Sequence, residues 1–599
     1  MIALELRARS FFLQCRTSAR SRPAQLTRAT GTSRHRPFTS CPQQRQNDKP
    51  YYVTSPIFYV NAAPHAGHLY TLILTDILKR WNRLLGDKRA TLLTGTDEHG
   101  MKIQKAAQKA QTDVKRFCDQ HAQQFKNLCG AANIDYNRFI RTTDADHKTT
   151  VEHFWTELSH NGYIYEAKHE GWYSVSDETF YPETQVSRVL DPSSGITTTV
   201  STETGKEVEW TSETNYHFRL SQFQGKLLDY YRSKPNTIVP QQRMNFIIGE
   251  IENGLKDLSI SRPSSRLTWG IRVPGDDSQT IYVWLDALLN YITMAGYPFK
   301  ENPSPDSLWP PNCQVIGKDI IRFHTIYWPA FLMALDLPIT QRFLTHAHWT
   351  MNSEKMSKSS GNGVNPFFAI DRYGVDAIRF YMAHEGGIVD DASYENSYIA
   401  RTYNTILKNQ YGNLLQRVFK SKKVDTRQTI RWASQEEDLQ QYIQSPDQLN
   451  LKVFGSGVVL ADIKQQYELI QKLAEEVKAS MDIPNPRSAV QAISETIRRT
   501  NKFFHEAQLW DLLHSESAEE KLVAHYSLYI TTETLRIISI LLQPFIPEKA
   551  KAALDMMNVD ESWRTFADAR VGADFLYGTD AYKTENRSPP LFPALLSLD

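Results

Sequence analysis

Two imidazoles three residues apart, His65 and His68, flank Gly67 in the turn Pro64-His65-Ala66-Gly67-His68. Histidines so spaced can donate hydrogen bonds to one ligand, and a glycine without Cβ lets a flat group approach the backbone between them. Far along the chain, Lys355-Met356-Ser357-Lys358-Ser359 sets two ammonium groups three residues apart in a small, polar, flexible stretch. Both lysines could reach one polyphosphate. Alone, the first motif also fits a surface turn or a metal pair, and the second a solvated loop.

The elements around the histidines narrow the choice. Tyr51-Tyr52-Val53-Thr54 reads as a strand, and Leu69, Leu72, Ile73, Ile77, Trp81 and Leu84 trace one face of a helix. A strand, a glycine turn and a helix aim free backbone N–H groups and the positive end of a helix dipole at one point, which suits a phosphate. Thr91-Leu92-Leu93-Thr94-Gly95-Thr96-Asp97 reads as a second strand. Strand, helix, strand is the unit of a parallel α/β sheet whose ligands sit beyond the carboxyl ends of the strands, so Asp97 falls on the same rim as His65 and His68. A carboxylate there can pair with the ammonium of an amino acid or cap the next helix.

H-x-G-H early and K-M-S-K-S late, in that order, resemble the paired signature of class I aminoacyl-tRNA synthetases, and the stretches between them resemble the methionyl-tRNA synthetases from Lys49 to about Trp510. The resemblance implies a Rossmann-like parallel-sheet catalytic domain split by a connective-peptide insertion, followed by an all-α helical bundle that reads the anticodon. It implies activation of methionine with ATP and Mg²⁺, then transfer to methionine tRNA. His65, Gly67, His68, Lys355 and Lys358 would be catalytic. His65, His68, Lys355, Met356, Ser357, Lys358 and Ser359 would bind ATP. Methionine would meet Ile57, Tyr59, Asp97, Arg262, Trp284, Ala287, Tyr291, Asp319, His324 and Trp328. Asn413, Arg417 and Trp510 would read the anticodon. Two departures stand out: Ala66 replaces the consensus Ile, and Pro56 precedes Ile57 where some relatives have a small residue.

The side chains themselves suit the substrate. A thioether is long, apolar and polarizable and gains from aromatic contact. Tyr59, Trp284, Tyr291, His324 and Trp328 supply rings, with Tyr or His able to donate a hydrogen bond to sulfur. A missing methylene is rejected only about 10- to 200-fold, so homocysteine remains a problem, and the resemblance implies that it is edited at the same site.

A chain of 599 residues leads one to expect several domains. The expected order is a leader at 1–49, a first catalytic half at 50–162, the insertion at 163–261, a second half at 262–345, a stem-contact region with the lysine loop at 346–393, the helical domain at 394–558 and a tail at 559–599. The leader holds ten basic residues through Lys49 against Glu5 and Asp48, with Ser and Thr throughout, which is the composition of a mitochondrial transit peptide. A basic tail touching RNA is the other reading. Without the leader the formal charge passes from +1 to about −7, so RNA contact would rest on local basic patches. The mitochondrial matrix is the expected compartment.

No apolar run reaches the roughly 20 residues of a membrane helix. The five cysteines, at 15, 41, 118, 129 and 313, form no C-x-x-C and support neither disulfides nor a zinc site. The insertion has no cysteine, and Ser174 stands where a zinc-knuckle ligand is found in many relatives, so no structural zinc is expected. A monomer is expected because no extra module follows Val559. The rival readings are a class I synthetase for leucine, valine or cysteine, a non-catalytic tRNA-binding scaffold, and an H-x-G-H adenylyltransferase. The first two amino acids call for longer chains, cysteine for zinc ligands, the scaffold for no phosphate ligands, and the last for no helical domain.

Overall fold

The computed structural model describes residues 49–175, 179–181, 183–190, 195, 197–299, 307–351, 354–355, 365–444, 457–581 and 589–595. Its central sheet holds six parallel strands: β1 (Tyr52–Tyr59), β2 (Thr91–Asp97), β3 (Arg138–Arg141), β4 (Ile238–Val239), β5 (Cys313–Gly317) and β6 (Phe343–His346). Their order is β3-β2-β1-β5-β6-β4. Every residue of β2, β5 and β6 is buried, as expected for a parallel sheet covered on both faces. The order reverses beside β1, with β2 on one flank and β5 on the other. The crevice at such a switch point is where open α/β sheets bind ligands.

Helix α1 (Ala66–Leu84) leaves the carboxyl end of β1 at this crevice, with Leu69, Leu72, Ile73, Ile77 and Trp81 in the core. β1 carries one residue more than β2. Thr54 faces Leu93 but Ile57 faces Gly95, which brings Tyr59 opposite Asp97. Pro56 lies in this bulge, where a residue without an N–H forfeits no ladder bond. The departure at Pro56 is therefore part of the device that sets Tyr59 against Asp97.

Helix α2 (Ala145–His160) precedes the insertion, whose main feature is an antiparallel pair, Ile164–Ser174 with Glu209–Phe218. Thr179–Tyr181 and Leu258–Ser259 flank that pair, and Val186–Leu190 and Thr197–Ser201 form a separate hairpin. Two corrections follow. β4 belongs to the central sheet although it lies within the stretch assigned to the insertion; two residues are too few to show any alternation. The second catalytic half is expected from 262, yet Leu258–Ser259 joins the insertion sheet and Ser261–Pro263, Arg272–Val273 and Asp276–Ile281 form a three-stranded antiparallel sheet of their own. The central sheet resumes at β5.

Helices α3 (Val283–Leu288) and α4 (Val375–Glu385) bracket β5 and β6, and the long helices α5 (Gly457–Asp482), α6 (Pro486–Glu506) and α7 (Ala518–Leu542) pack against one another. The segment after Val559 folds back on this bundle: Tyr577 is fully buried and donates to Glu533, and Phe592 lies against Tyr403 and Tyr411. No helix among the described residues is long and apolar enough to cross a membrane.

The guanidinium of Arg379 on α4 is fully buried and pairs with Asp76 of α1 at 2.6 Å. It also donates to the carbonyls of Ala132, Pro544 and Phe545, at 3.2, 2.9 and 3.1 Å. Removing one partner of a buried ion pair leaves the other charge uncompensated. Arg379→Ala should lower stability by about 3–5 kcal/mol, read as a fall in the urea midpoint; a wild-type midpoint would show that the pair holds nothing together.

Candidate active site

His65 is the N-cap of α1. Its Nδ1 accepts from Gly67 N at 3.0 Å, while His68 Nδ1 accepts from His65 N at 3.1 Å. This is a capping box built from two imidazoles. A nitrogen that accepts from a backbone N–H carries no proton, so each ring holds its proton on Nε2, the nitrogen that can donate to an anion. The rings stack with centroids 3.8 Å apart, and Phe58 and Phe125 meet His68 edge-on, each at 5.1 Å. A Cβ on Gly67 would lie 2.9 Å from His65 Cε1. The glycine therefore makes room for the capping ring as well as for any ligand. Ala66 is fully buried.

A third histidine steadies the same helix. His346 ends β6, and its Nδ1 lies 2.8 Å from the Ala347 carbonyl. A carbonyl only accepts, so Nδ1 is protonated and Nε2 takes the Thr71 hydroxyl of α1 at 2.9 Å. Burial, the largest cause, pushes the His346 ring down to about 4.

Beyond β5 the chain makes a π-helical turn, Phe323–Tyr327, before an α-helix from Trp328 to Ala334. Such turns are rare and recur at functional sites. This one stacks Phe323 on Trp284 at 3.6 Å and sets His324 Nε2 2.7 Å from the Tyr291 hydroxyl. Trp328 is fully buried 6.2 Å from Tyr291. Ala287 is buried on α3 beside them. Proton bookkeeping corrects one expectation. His324 Nδ1 lies 3.0 Å from the Ile320 carbonyl, so it holds the ring proton, and the Tyr291 proton goes to Nε2. In this arrangement neither group has a proton left for a thioether. Burial holds His324 at about 4, which keeps the ring neutral.

The remaining expected residues divide by place. Tyr59 donates to the His99 carbonyl at 3.0 Å and lies under Lys102; Asp97 is buried across from it. Ile57 is half-buried in the same strand. Asp319 follows β5 and meets His348 at 3.1 Å. Arg262 is set apart. Its guanidinium is buried among Tyr173, Phe180 and Tyr282, 4.7 to 5.2 Å from their centroids, and donates to Ser259 and Ser261. Those contacts make it a fixture between the insertion and α3. Glu354–Lys355 pairs with Trp349–Met351 at the base of the lysine loop; Met356, Ser357, Lys358 and Ser359 lie outside the described residues. Asn413 and Arg417 are exposed on one helix, with Arg417 over Phe504 at 4.7 Å. Trp510 lies in the short helix Leu509–Leu512, and its side chain is outside the described set.

Sequence reasoning passed over Phe323, His346 and Asp286. Phe323 and His346 look like ordinary core in sequence. Asp286 had a visible signal, a lone carboxylate inside the apolar run Trp284-Leu285-Asp286-Ala287-Leu288. Among the described residues no group of three or more His, Cys, Asp or Glu side chains could hold a metal ion.

A family profile for tRNA synthetases class I (M) matches residues 51–419. The Neurospora crassa protein named probable methionine–tRNA ligase, mitochondrial, is 47% identical over 576 residues, 96% of this chain and 89% of that protein. The human methionine–tRNA ligase, mitochondrial, is 40% identical, covering 86% of this chain and 85% of its own length. The crystal structure of Mycobacterium tuberculosis methionyl-tRNA synthetase bound by methionyl-adenylate superposes with a TM-score of 0.77 at 37% identity, covering 91% of this chain and 100% of that one.

The two neutral buried rings carry a pH consequence. A histidine near 6.5 when unfolded but about 4 when folded takes up protons in the unfolded chain first. Stability is therefore fully present above pH 6.5 and is lost as pH falls toward 4, by up to ~3 kcal/mol for each ring. The urea midpoint should drop between about pH 7.5 and 5, and His324→Gln or His346→Gln should flatten that drop. A midpoint indifferent to pH would place these rings in water.

Proposed function

Because the chain belongs to the class I tRNA synthetases and within them to the methionine–tRNA ligases, we propose a role for each of its site residues in charging methionine tRNA. The methionine carboxylate attacks the α-phosphorus of ATP, pyrophosphate leaves, and the 2′- or 3′-hydroxyl of the tRNA's terminal adenosine then takes the methionyl group and releases AMP. ATP enters as its Mg²⁺ complex. Transfers of this kind call for positioning and charge stabilisation rather than covalent help.

The observation that carries the assignment is the reciprocal imidazole cap of α1. It sets two Nε2–H donors and a helix N-terminus at the switch point of the sheet, where developing phosphate charge is stabilised. Lys355 and Lys358 close on the leaving pyrophosphate. Asp97 takes the ammonium of methionine. Trp284, Ala287, Tyr291, His324 and Trp328 enclose the thioether, Ile57 and Tyr59 complete the wall, and Asp319 lines the rim beyond β5. Arg262 acts through the joint it holds. Asn413, Arg417 and Trp510 read the anticodon by hydrogen bonding and stacking.

Relatives named mitochondrial support a mitochondrial location, and the arginine-rich leader suits import to the matrix. The protein acts as a monomer. Its insertion folds without zinc, since that stretch has no cysteine; stoichiometric zinc in the purified protein would overturn this.

Methionine alone among the twenty amino acids should drive exchange of labelled pyrophosphate into ATP. Exchange driven by another amino acid, or by none, would overturn the pocket assignment. Lys358→Ala should slow adenylate formation about 100- to 1,000-fold while leaving methionine binding intact by calorimetry. An unchanged activation rate would remove the lysine loop from the mechanism.

A further inference from the structure

Asp286 lies in the middle of α3 at 1% exposure. Its Oδ2 is 2.6 Å from His99 Nδ1 and its Oδ1 is 2.8 Å from His147 Nε2. The two imidazoles come from different elements, His99 from the segment after β2 and His147 from α2. Burial alone would push this carboxyl up; His99 and His147 together bring it down to about 2, so the group is an anion with both oxygens engaged. His147 is itself held, with Nδ1 3.2 Å from the Thr293 hydroxyl.

What the carboxylate joins gives it a function. His99 is two residues past Asp97, and its carbonyl receives the Tyr59 hydroxyl at 3.0 Å. Between them Glu98 is pinned the other way, by two hydrogen bonds from Arg141 at 2.6 and 2.9 Å. The Glu98 carbonyl also takes the Trp269 indole N–H at 2.6 Å. The segment 97–99 is thus fastened to the sheet edge through Glu98 and to α3 through His99. On α3, Trp284 and Ala287 lie two residues before Asp286 and one after it. A single buried anion therefore connects the strands that present Tyr59 and Asp97 to the helix that presents Trp284 and Ala287.

We propose that Asp286 is a positioning residue that sets the separation between the ammonium-binding and thioether-binding halves of the methionine site, with His99 and His147 as its two arms. The inference rests on the assignment of that site above. A fixed separation measures the length of the amino acid, which is how a long unbranched side chain is told from shorter ones without a hydrogen bond to sulfur. An isosteric amide at this position keeps the volume but removes the charge that both imidazole N–H groups address.

The test is pyrophosphate exchange by the full chain, with KM for methionine and ATP measured separately. Asp286→Asn should raise the methionine KM about tenfold or more, with the ATP KM changed less than about twofold. His147→Ala should act in the same direction, and His147→Gln, whose amide can restore the donor to Oδ1, should return the methionine KM to within about threefold of wild type. If Asp286→Asn does not fold, the His147 pair decides. Methionine and ATP KM values rising together, an unchanged methionine KM, or His147→Gln no better than His147→Ala would each overturn the inference. A wild-type chain that exchanges without methionine would instead overturn the underlying site assignment.

Discussion

The Asp76–Arg379 ion pair is the interaction on which the rest of the molecule depends. Burial alone would raise the Asp76 carboxyl, but Arg379 and Arg80 hold it below the usual carboxylate range. Two desolvated charges are favourable only where geometry is good and the remaining donors are satisfied. Here Arg379 spends them on carbonyls just past the end of α7 and in the loop before β3. Asp76 accepts from Asp135 N as well. The helix capped by His65 is therefore anchored to α4, to the segment before β3 and to the end of α7. Its N-terminus has one position, and the phosphate site inherits that position.

A second constraint is the disposition of protons. Four site histidines each have one nitrogen committed to the backbone: His65 and His68 through N–H donors, His324 and His346 through carbonyls. The first pair carries its proton on Nε2, the nitrogen suited to an anion. The second pair is left with Nε2 as an acceptor, which consumes the hydroxyl protons of Tyr291 and Thr71. The same residue type thus serves opposite ends of the site, and the partner at Nδ1 determines which.

Much of this was legible in the sequence, for reasons that differ by residue. Leu69 to Leu84 repeats at helical spacing, so α1 could be placed from its apolar face, and the H-x-G-H and K-M-S-K-S motifs carried the family. β4 was not legible, because two residues show no period. That Ser261–Pro263, Arg272–Val273 and Asp276–Ile281 form a sheet of their own was not legible, because a strand's pattern does not name its partner. The bulge that aligns Tyr59 with Asp97 shows only as a proline. Asp286, His99 and His147 are 187 and 139 residues apart in the two pairings, and nothing local to any one of them names the others.

The buried pairing of Tyr291 with His324 changes what the pocket can read. With its proton on His324, the Tyr291 oxygen can only accept, and a methionine thioether has no proton to offer it. Under the proposed site assignment, selection of methionine rests on shape, aromatic contact and the spacing of the two halves of the site. A thiol does carry a proton, so in the proposed site homocysteine could donate to this oxygen where methionine cannot, offsetting part of what it loses with its missing methyl group. A pocket of this chemistry discriminates against homocysteine less than its volume implies.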